Sequence, residues 1–270
     1  MRTLYRAACL WILGAQPALA QFPVFHTQDA RTTGIGKAEF GIGLEYLAKH
    51  DAPAPDLHDA EYRLLIAGFH YGVADNVNFD VDWRGMLFGR LPNGVTDFDW
   101  GDVSISTRIQ LVREEGARPA IGVRSSVKLP NTRYLPYRLG SNETDVAFQL
   151  LAARTYGSAD LRANLGFSIL GDPINKSSQD DLYTASIAGL FTLTPGISVF
   201  AECYGFSGYQ KNDDKLVFRA GLIQRWYGFC WNLFGSLRAL GNNKDFGTAF
   251  EGSENWSLGF VITKEIAIDL

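Results

Sequence analysis

Long apolar runs are what this 270-residue chain lacks first. Beyond residue 20, no stretch approaches the roughly 20 consecutive apolar residues that an α-helix needs to cross a bilayer. That excludes a helical membrane protein. An excess of basic residues is also missing. Lys and Arg number 25 against 29 Asp and Glu, and taking Arg2 and Arg6 away with a leader leaves 23 against 29, a net of −6. A mildly acidic chain argues against nucleic acid as a partner. Histidine is scarce, with only His26, His50, His58 and His70. None lies near a G-x-S-x-G turn, so a hydrolytic nucleophile–base arrangement has little to be built from. No helical domain, linker or low-complexity tract interrupts the chain. Of three cysteines, Cys9 falls in the leader described next. Strand phasing puts Cys203 and Cys230 on opposite faces of strands two apart. Such strands are separated by roughly 9–10 Å, beyond disulfide reach, so two free thiols are expected.

The first twenty residues read as an export signal. Arg2 and Arg6 supply positive charge, residues 7–15 a short apolar core, and Ala18-Leu19-Ala20 a small-residue cleavage site. Cleavage after Ala20 would start the mature chain at Gln21. The expected organisation is a signal peptide over 1–20, a patternless periplasmic lead-in over 21–35, and one β-domain over 36–270.

The rest of the chain alternates apolar and polar residues with a period of two. Residues 101–129, GDVSISTRIQLVREEGARPAIGVRSSVKL, show the repeating unit. Val103, Ile105, Thr107, Ile109 and Leu111 fall on one face, with Ser104, Ser106, Arg108 and Gln110 on the other. After a charged turn containing Gly116, Ile121, Val123, Val127 and Leu129 alternate with Gly122, Arg124, Ser126 and Lys128. Alternation of this kind marks a strand with one apolar face and one wet face. Similar runs start near residues 36, 61, 77, 144, 160, 182, 197, 215, 229 and 255. The third, with Val77, Phe79, Val81, Trp83 and Leu87 read as one face, is the cleanest. The second is irregular at Leu64-Leu65-Ile66. A long loop is expected over 88–100.

The count is about twelve strands of about eleven residues, an even number in keeping with bacterial transmembrane barrels. Eleven residues at ~3.3 Å each, tilted ~40°, rise about 28 Å, close to the thickness of a bilayer's hydrocarbon core. Connections alternate long and short, as in barrels with short periplasmic turns and long outer loops. A secreted β-sandwich has no reason to keep that alternation. Aromatics near strand ends (Phe69, Tyr71, Tyr156, Tyr183, Trp226, Tyr227, Trp256) suit interfacial girdles. The expected fold is therefore all-β: a single antiparallel transmembrane β-barrel of about twelve strands with both termini periplasmic.

Three runs carry a family resemblance: GDVSISTRIQLVREEGARPAIGVRSSVKLP, LGSNETDVAFQLLAAR and ADLRANLGFSILGD. The Gly101-Asp102-Val103 start, the Val127-Lys128-Leu129-Pro130 exit, Leu139-Gly140-Ser141 with Thr144-Asp145-Val146, and Leu165-Gly166-Phe167 resemble the outer-membrane "MetA-pathway of phenol degradation" family of β-barrel transporters. The resemblance covers residues 62–205. It implies passive passage of small compounds, hydrophobic or aromatic ones among them. It implies no prosthetic group and no cofactor. Outer-membrane lipid and lipopolysaccharide, the barrel-assembly machinery and a small-molecule solute are the expected partners. One departure is the terminus, Leu270, where such barrels usually carry an aromatic residue. Leu270 remains in phase with Trp256, Leu258, Phe260 and Ile262.

The inward face is unevenly charged. An acidic wall of Glu39, Glu45, Asp80 and Asp82 is expected opposite a basic wall of Arg108, Arg124, Lys128, Arg162 and Arg219. A lumen so lined would orient water and select dipolar or charged solutes. The alternative is that these side chains pair across a narrow barrel and fill it. Asp97, Asp99 and Asp102 form a dense outer-loop acidic run that could attract Ca²⁺, although the remaining ligands of a calcium loop are missing. No catalytic residue is assigned. The expected role is a channel. The alternatives are a structural or adhesive barrel with a filled lumen and, less favoured, an outer-membrane lipid hydrolase.

Overall fold

The alternating pattern becomes strand almost everywhere. The computed structural model describes residues 25–48, 58–135, 139–172, 178–208, 214–241 and 254–268, and every regular element in it is a β-strand. In chain order these are β1 (Lys37–Ala48), β2 (Ala60–Ala74), β3 (Val77–Trp83), β4 (Met86–Arg90), β5 (Thr96–Trp100), β6 (Val103–Val112) and β7 (Ala120–Leu129). They continue with β8 (Asp145–Tyr156), β9 (Ala159–Gly171), β10 (Gln179–Thr194), β11 (Ile197–Gly208), β12 (Lys215–Trp226), β13 (Phe229–Leu240) and β14 (Trp256–Ala267). The expected leader, its cleavage site, His50 and Leu270 lie outside the described residues.

All pairings are antiparallel, and the sheet closes on itself. β1 pairs with β2 on one side and β14 on the other, while β3 pairs directly with β6. The ring therefore holds twelve strands: β1–β3 and β6–β14. Closure leaves the ring itself no unpaired edge, which a wall facing hydrocarbon requires. Turns of two residues (75–76, 157–158, 195–196, 227–228) share one end with the start of β1 and the end of β14. The seven-residue connection between β6 and β7 lies at this end too, and the remaining connections of the ring leave from the other end.

Residues 88–100 are not the loop expected from sequence. β4 and β5 form a hairpin that prolongs β3 and β6, with only residues 91–95 as its loop. The physical reason is a change of face at Arg84-Gly85, where Gly85 takes φ +81°. Beyond it the outward set shifts by one residue: Phe88 packs on Phe98 with ring centroids 5.0 Å apart. Leu87, read with the outward set, is instead turned inward and only 1% exposed. A Cβ at Gly85 would lie 2.2 Å from the Leu64 carbonyl oxygen. Beside it on β2, Leu65 holds φ +57°, and the β1–β2 register shifts at Gly43/Leu44. That bulge explains the broken alternation at Leu64-Leu65-Ile66: Leu64 and Leu65 both face out and Ile66 faces in.

Outward positions carry exposed apolar side chains around the ring, among them Phe40, Ile42, Leu44, Phe79, Leu165, Phe167, Ile187, Leu233 and Leu258. So continuous an apolar belt is what a lipid layer covers. Cys203 faces outward and Cys230 inward on β11 and β13, with β12 between them, and both are free thiols.

The lead-in holds the least expected feature. From Phe25 onward it runs inside the wall as a strap without strand structure, with Phe25, Thr27, Asp29 and Ala30 buried. It descends toward the short-turn end and enters β1 at Lys37.

Candidate functional site

The site is the lumen, and it is built by the inward half of every strand's alternation together with the strap. On one side of the barrel several inward residues are apolar rather than charged. Ile66, Leu190, Phe200, Ile223, Phe234 and Val261 form a collar from β2 and β10–β14, and Phe25 of the strap seats in it. The Phe25 ring lies 4.4 Å from that of Phe200 and under the Arg162 guanidinium at 5.2 Å. Burying one phenylalanine in such a collar contributes about 2–3 kcal/mol.

Beside and below the collar the strap is held by polar contacts. The His26 and Thr27 backbone N–H groups donate to the two carboxylate oxygens of Glu202, at 3.0 and 2.9 Å. Gln28 exchanges two bonds with the Asn164 side chain, N–H to Oδ1 at 2.6 Å and Nδ2 to the Gln28 carbonyl at 2.9 Å. Arg108 donates to the Asp29 carbonyl at 3.2 Å. A second small seat, Ala120, Leu151 and Ala153, receives Ala30. There Gly122 lets the Ala30 carbonyl approach, since a Cβ would meet that oxygen at 3.0 Å.

At the short-turn mouth a charge clamp closes the arrangement. Arg31 reaches Asp160 at 2.6 Å, Asp29 at 2.7 Å, Glu114 at 3.3 Å and the Thr155 hydroxyl at 2.7 Å. Arg162 bridges Asp29 and Asp160 at 3.3 and 3.0 Å. Burial pushes the Asp29 carboxyl up, but Arg162 and Arg31 outweigh it and hold the group below its ordinary value. Burial alone would lower the Arg31 pKa, while Asp29 and Asp160 drive it above its already high ordinary value.

Above the collar lies a cavity of about 250 Å³. Its floor is Phe25, His26, Gln28, Ile66, Phe234 and Val261, and its walls come from the long-loop halves of the strands. An apolar cavity of about 150 Å³ suffices for a benzene molecule, so a small organic solute fits.

The charged residues read from sequence fall as follows. Glu39, Asp80, Arg108 and Arg162 are buried away from the cavity, whereas Glu45 and Lys128, buried, and Asp82, Arg124 and Arg219, half-buried, line it. Asp80 meets Arg108 at 3.8 Å, and Asp82 meets His70 at 2.9 Å. Glu39 stands in register beside His70. Several partners were not singled out from sequence. Arg63 stands among the acids of β1 and β2, at 3.3 Å from Glu45 and 2.7 Å from Glu61. Glu202 meets Arg219 at 3.8 Å, and Asp145 pairs with Lys128. Simple alternation would have placed Arg63, Glu202, Asp145 and Asp160 inward. Nothing in the pattern marks Asp29 and Arg31.

Asp97, Asp99 and Asp102 do not converge. Asp97 pairs with His58 at 3.0 Å. Asp99 accepts from the Arg133 N–H at 2.7 Å. Asp102 accepts from the backbone N–H groups of Asn131 and Thr132, at 2.8 and 2.9 Å. They tie loops rather than share a centre. Among the described residues, no group of three or more His, Cys, Asp or Glu is placed to hold a metal ion. The described histidines are likewise dispersed, with His26 stacked on Tyr204 at 4.3 Å and His58 and His70 each against an aspartate.

Comparison with known proteins follows the same lines. The chain is similar in fold to an outer membrane channel from Pseudomonas putida F1, at TM-score 0.64 and 13% identity, over 90% of this chain and all of that one. It is similar to the NanC porin at TM-score 0.52 and 8% identity, over 86% of this chain and all of that one. No curated protein matches it in sequence. The sequence profile of one family matches residues 54–223, more than half of the chain, and the chain therefore belongs to the family described as "Putative MetA-pathway of phenol degradation".

Proposed function

We propose that this barrel is a passage through the bacterial outer membrane for small compounds, hydrophobic or aromatic ones among them. The observation that carries the reading is the cavity above the strap. It combines an apolar floor with charged and hydroxyl-bearing walls, inside a barrel whose outer belt is apolar. A wall of this kind keeps a solute away from lipid while giving it both apolar and polar contacts on the way. The channel and porin likenesses in fold support the same reading. The charged residues of β1–β3 and of β6, β7, β9 and β12 would give the passage its polarity, with Arg63 and Glu202 moderating it. No reaction is proposed.

The strap favours a second reading, a structural or adhesive barrel whose lumen is filled. Swelling of liposomes containing the refolded protein separates the two. A passage admits small aromatic and polar solutes and excludes solutes well above the cavity's size, with swelling rates above those of protein-free vesicles. Rates equal to those of protein-free vesicles for every solute, with folding confirmed by heat-modifiable gel migration, would favour the filled barrel.

A further inference from the structure

Phe25 is an aromatic ring lodged where the wall is shaped to hold a ring. Gly221 on β12 lets the Phe200 ring lie along the wall, since a Cβ there would come within 2.5 Å of that ring. Gly259 on β14 does the same for Phe234, at 2.2 Å. The two rings thus lie over neighbouring strands instead of crossing the lumen. The Phe25 ring fills the space they leave and is only 3% exposed. One side of this seat is Phe200, at 4.4 Å and tilted by 47°. Another is the Arg162 guanidinium, 5.2 Å from the ring centre. Both contacts favour an aromatic ring over a saturated one of the same size. Asp29 and Asp160 hold Arg162 at 3.3 and 3.0 Å, so its guanidinium stays in place whichever ring lies beneath it. The seat opens on the cavity, because Phe25, Ile66, Phe234 and Val261 belong to both. A solute in the cavity therefore rests on the Phe25 ring. The polar ties of the strap act through its backbone from His26 onward and through the Asp29 and Arg31 side chains. A turn of the Phe25 side chain breaks none of them.

We propose that the collar is a binding seat for flat, neutral, single-ring aromatic solutes, and that Phe25 is its built-in occupant, which such a solute displaces from the cavity side. The inference rests on reading the cavity as part of the solute passage, and names what that passage selects and which contact the solute breaks. The size of the seat is that of the one ring it now holds. Its walls are apolar, and Arg162 already has two carboxylate partners, so a charged body would lose hydration there without gaining a partner. A small polar substituent on the ring would point back among the polar groups of the cavity. Because Phe25 competes for the seat, the apparent affinity of a solute is lowered to the extent that the seat is already filled.

Displacement is read without any permeation step by fluorine NMR of the refolded, detergent-solubilised protein in which 4-fluorophenylalanine replaces Phe25. The probes are benzyl alcohol, its saturated counterpart cyclohexylmethanol, and benzoate. Benzyl alcohol should move the fluorine resonance saturably toward its position in the unfolded protein. Cyclohexylmethanol and benzoate should need about tenfold higher concentrations or leave it unmoved. Calorimetric titration of Phe25→Ala, with folding confirmed by heat-modifiable migration, should find benzyl alcohol bound about tenfold or more tightly than in wild type, because the competitor is gone. A resonance that benzyl alcohol leaves unmoved, equal responses to benzyl alcohol and either other probe, or a folded Phe25→Ala protein that binds benzyl alcohol no more tightly than wild type would each overturn the proposal. If Phe25→Ala does not fold, the fluorine titration decides alone. The two readings fail separately. Displacement of Phe25 in a protein that produces no liposome swelling would sink the passage and keep the seat. Swelling by ring solutes with an unmoved resonance would sink the seat alone.

Discussion

Asp29 and Arg31 show how a lumen can hold a segment that has no secondary structure of its own. The strap cannot complete a backbone ladder, so side chains satisfy it: Glu202 and Asn164 cap its N–H and C=O groups, and the Arg31–Asp160–Arg162–Asp29 clamp fixes its lower end. Removing one member of a buried charge network leaves its partners uncompensated, at a cost of about 3–5 kcal/mol when none can reach water. Arg31 keeps 25% of its side chain exposed, so truncating it should cost less than that. The clamp carries a pH signature. The Asp29 carboxyl is held below its ordinary 3.8 in the folded protein. Its contribution to stability is therefore fully present above about pH 4 and is lost as pH falls through the lowered folded-state value. Thermal melting between pH 2 and 5, followed by heat-modifiable migration, should fall more steeply in wild type than in Asp29→Asn. Identical slopes would show that the pairing is not linked to stability.

Among the elements, β2–β6 show both what a sequence pattern conveys and where it fails. The bulge at Leu65 was visible as broken alternation, because two consecutive outward residues cannot occur in a regular strand. The β4–β5 hairpin was not. Gly85 changes the phase, and a period of two read across it assigns Leu87 to the wrong face and mistakes Phe88 and Phe98 for loop residues. Gly85→Ala should be costly for two reasons: φ +81° strains any L side chain, and the new Cβ would press on the Leu64 carbonyl. A loss of about 2–4 kcal/mol in urea unfolding from lipid vesicles is expected; a change below the error of the fit would place the strain elsewhere. β11 and β13 carry the thiols on opposite faces with β12 between them. Ellman titration of denatured, unreduced mature protein should therefore find two thiols.

At the scale of the molecule, the barrel was legible because closure is repetitive. Each strand repeats the same alternation, and each connection the same long–short rhythm. The strap was not legible, because its partners are spread over β3, β6, β8, β9 and β11, as far as 176 residues away in sequence, and impose no period on it. The apolar collar escaped notice for a related reason. Ile66, Leu190, Phe200, Ile223, Phe234 and Val261 sit in inward phase on strands whose charged neighbours drew the eye to the polar half of the lumen. Together strap and collar set the width of any route through the barrel, and on the proposed reading the charged walls set its preference. The account thus makes a claim about the whole molecule: solutes pass through the lumen, and residues 25–31 constrict it.

Single-channel conductance in a planar bilayer tests that claim most directly, with wild type beside an Arg31→Ala variant whose folding is confirmed by heat-modifiable migration. The account predicts discrete steps in wild type and larger steps, or longer dwells at a larger step, once the clamp is cut. Silence from both folded proteins would contradict it and leave the barrel as a filled structural element of the membrane.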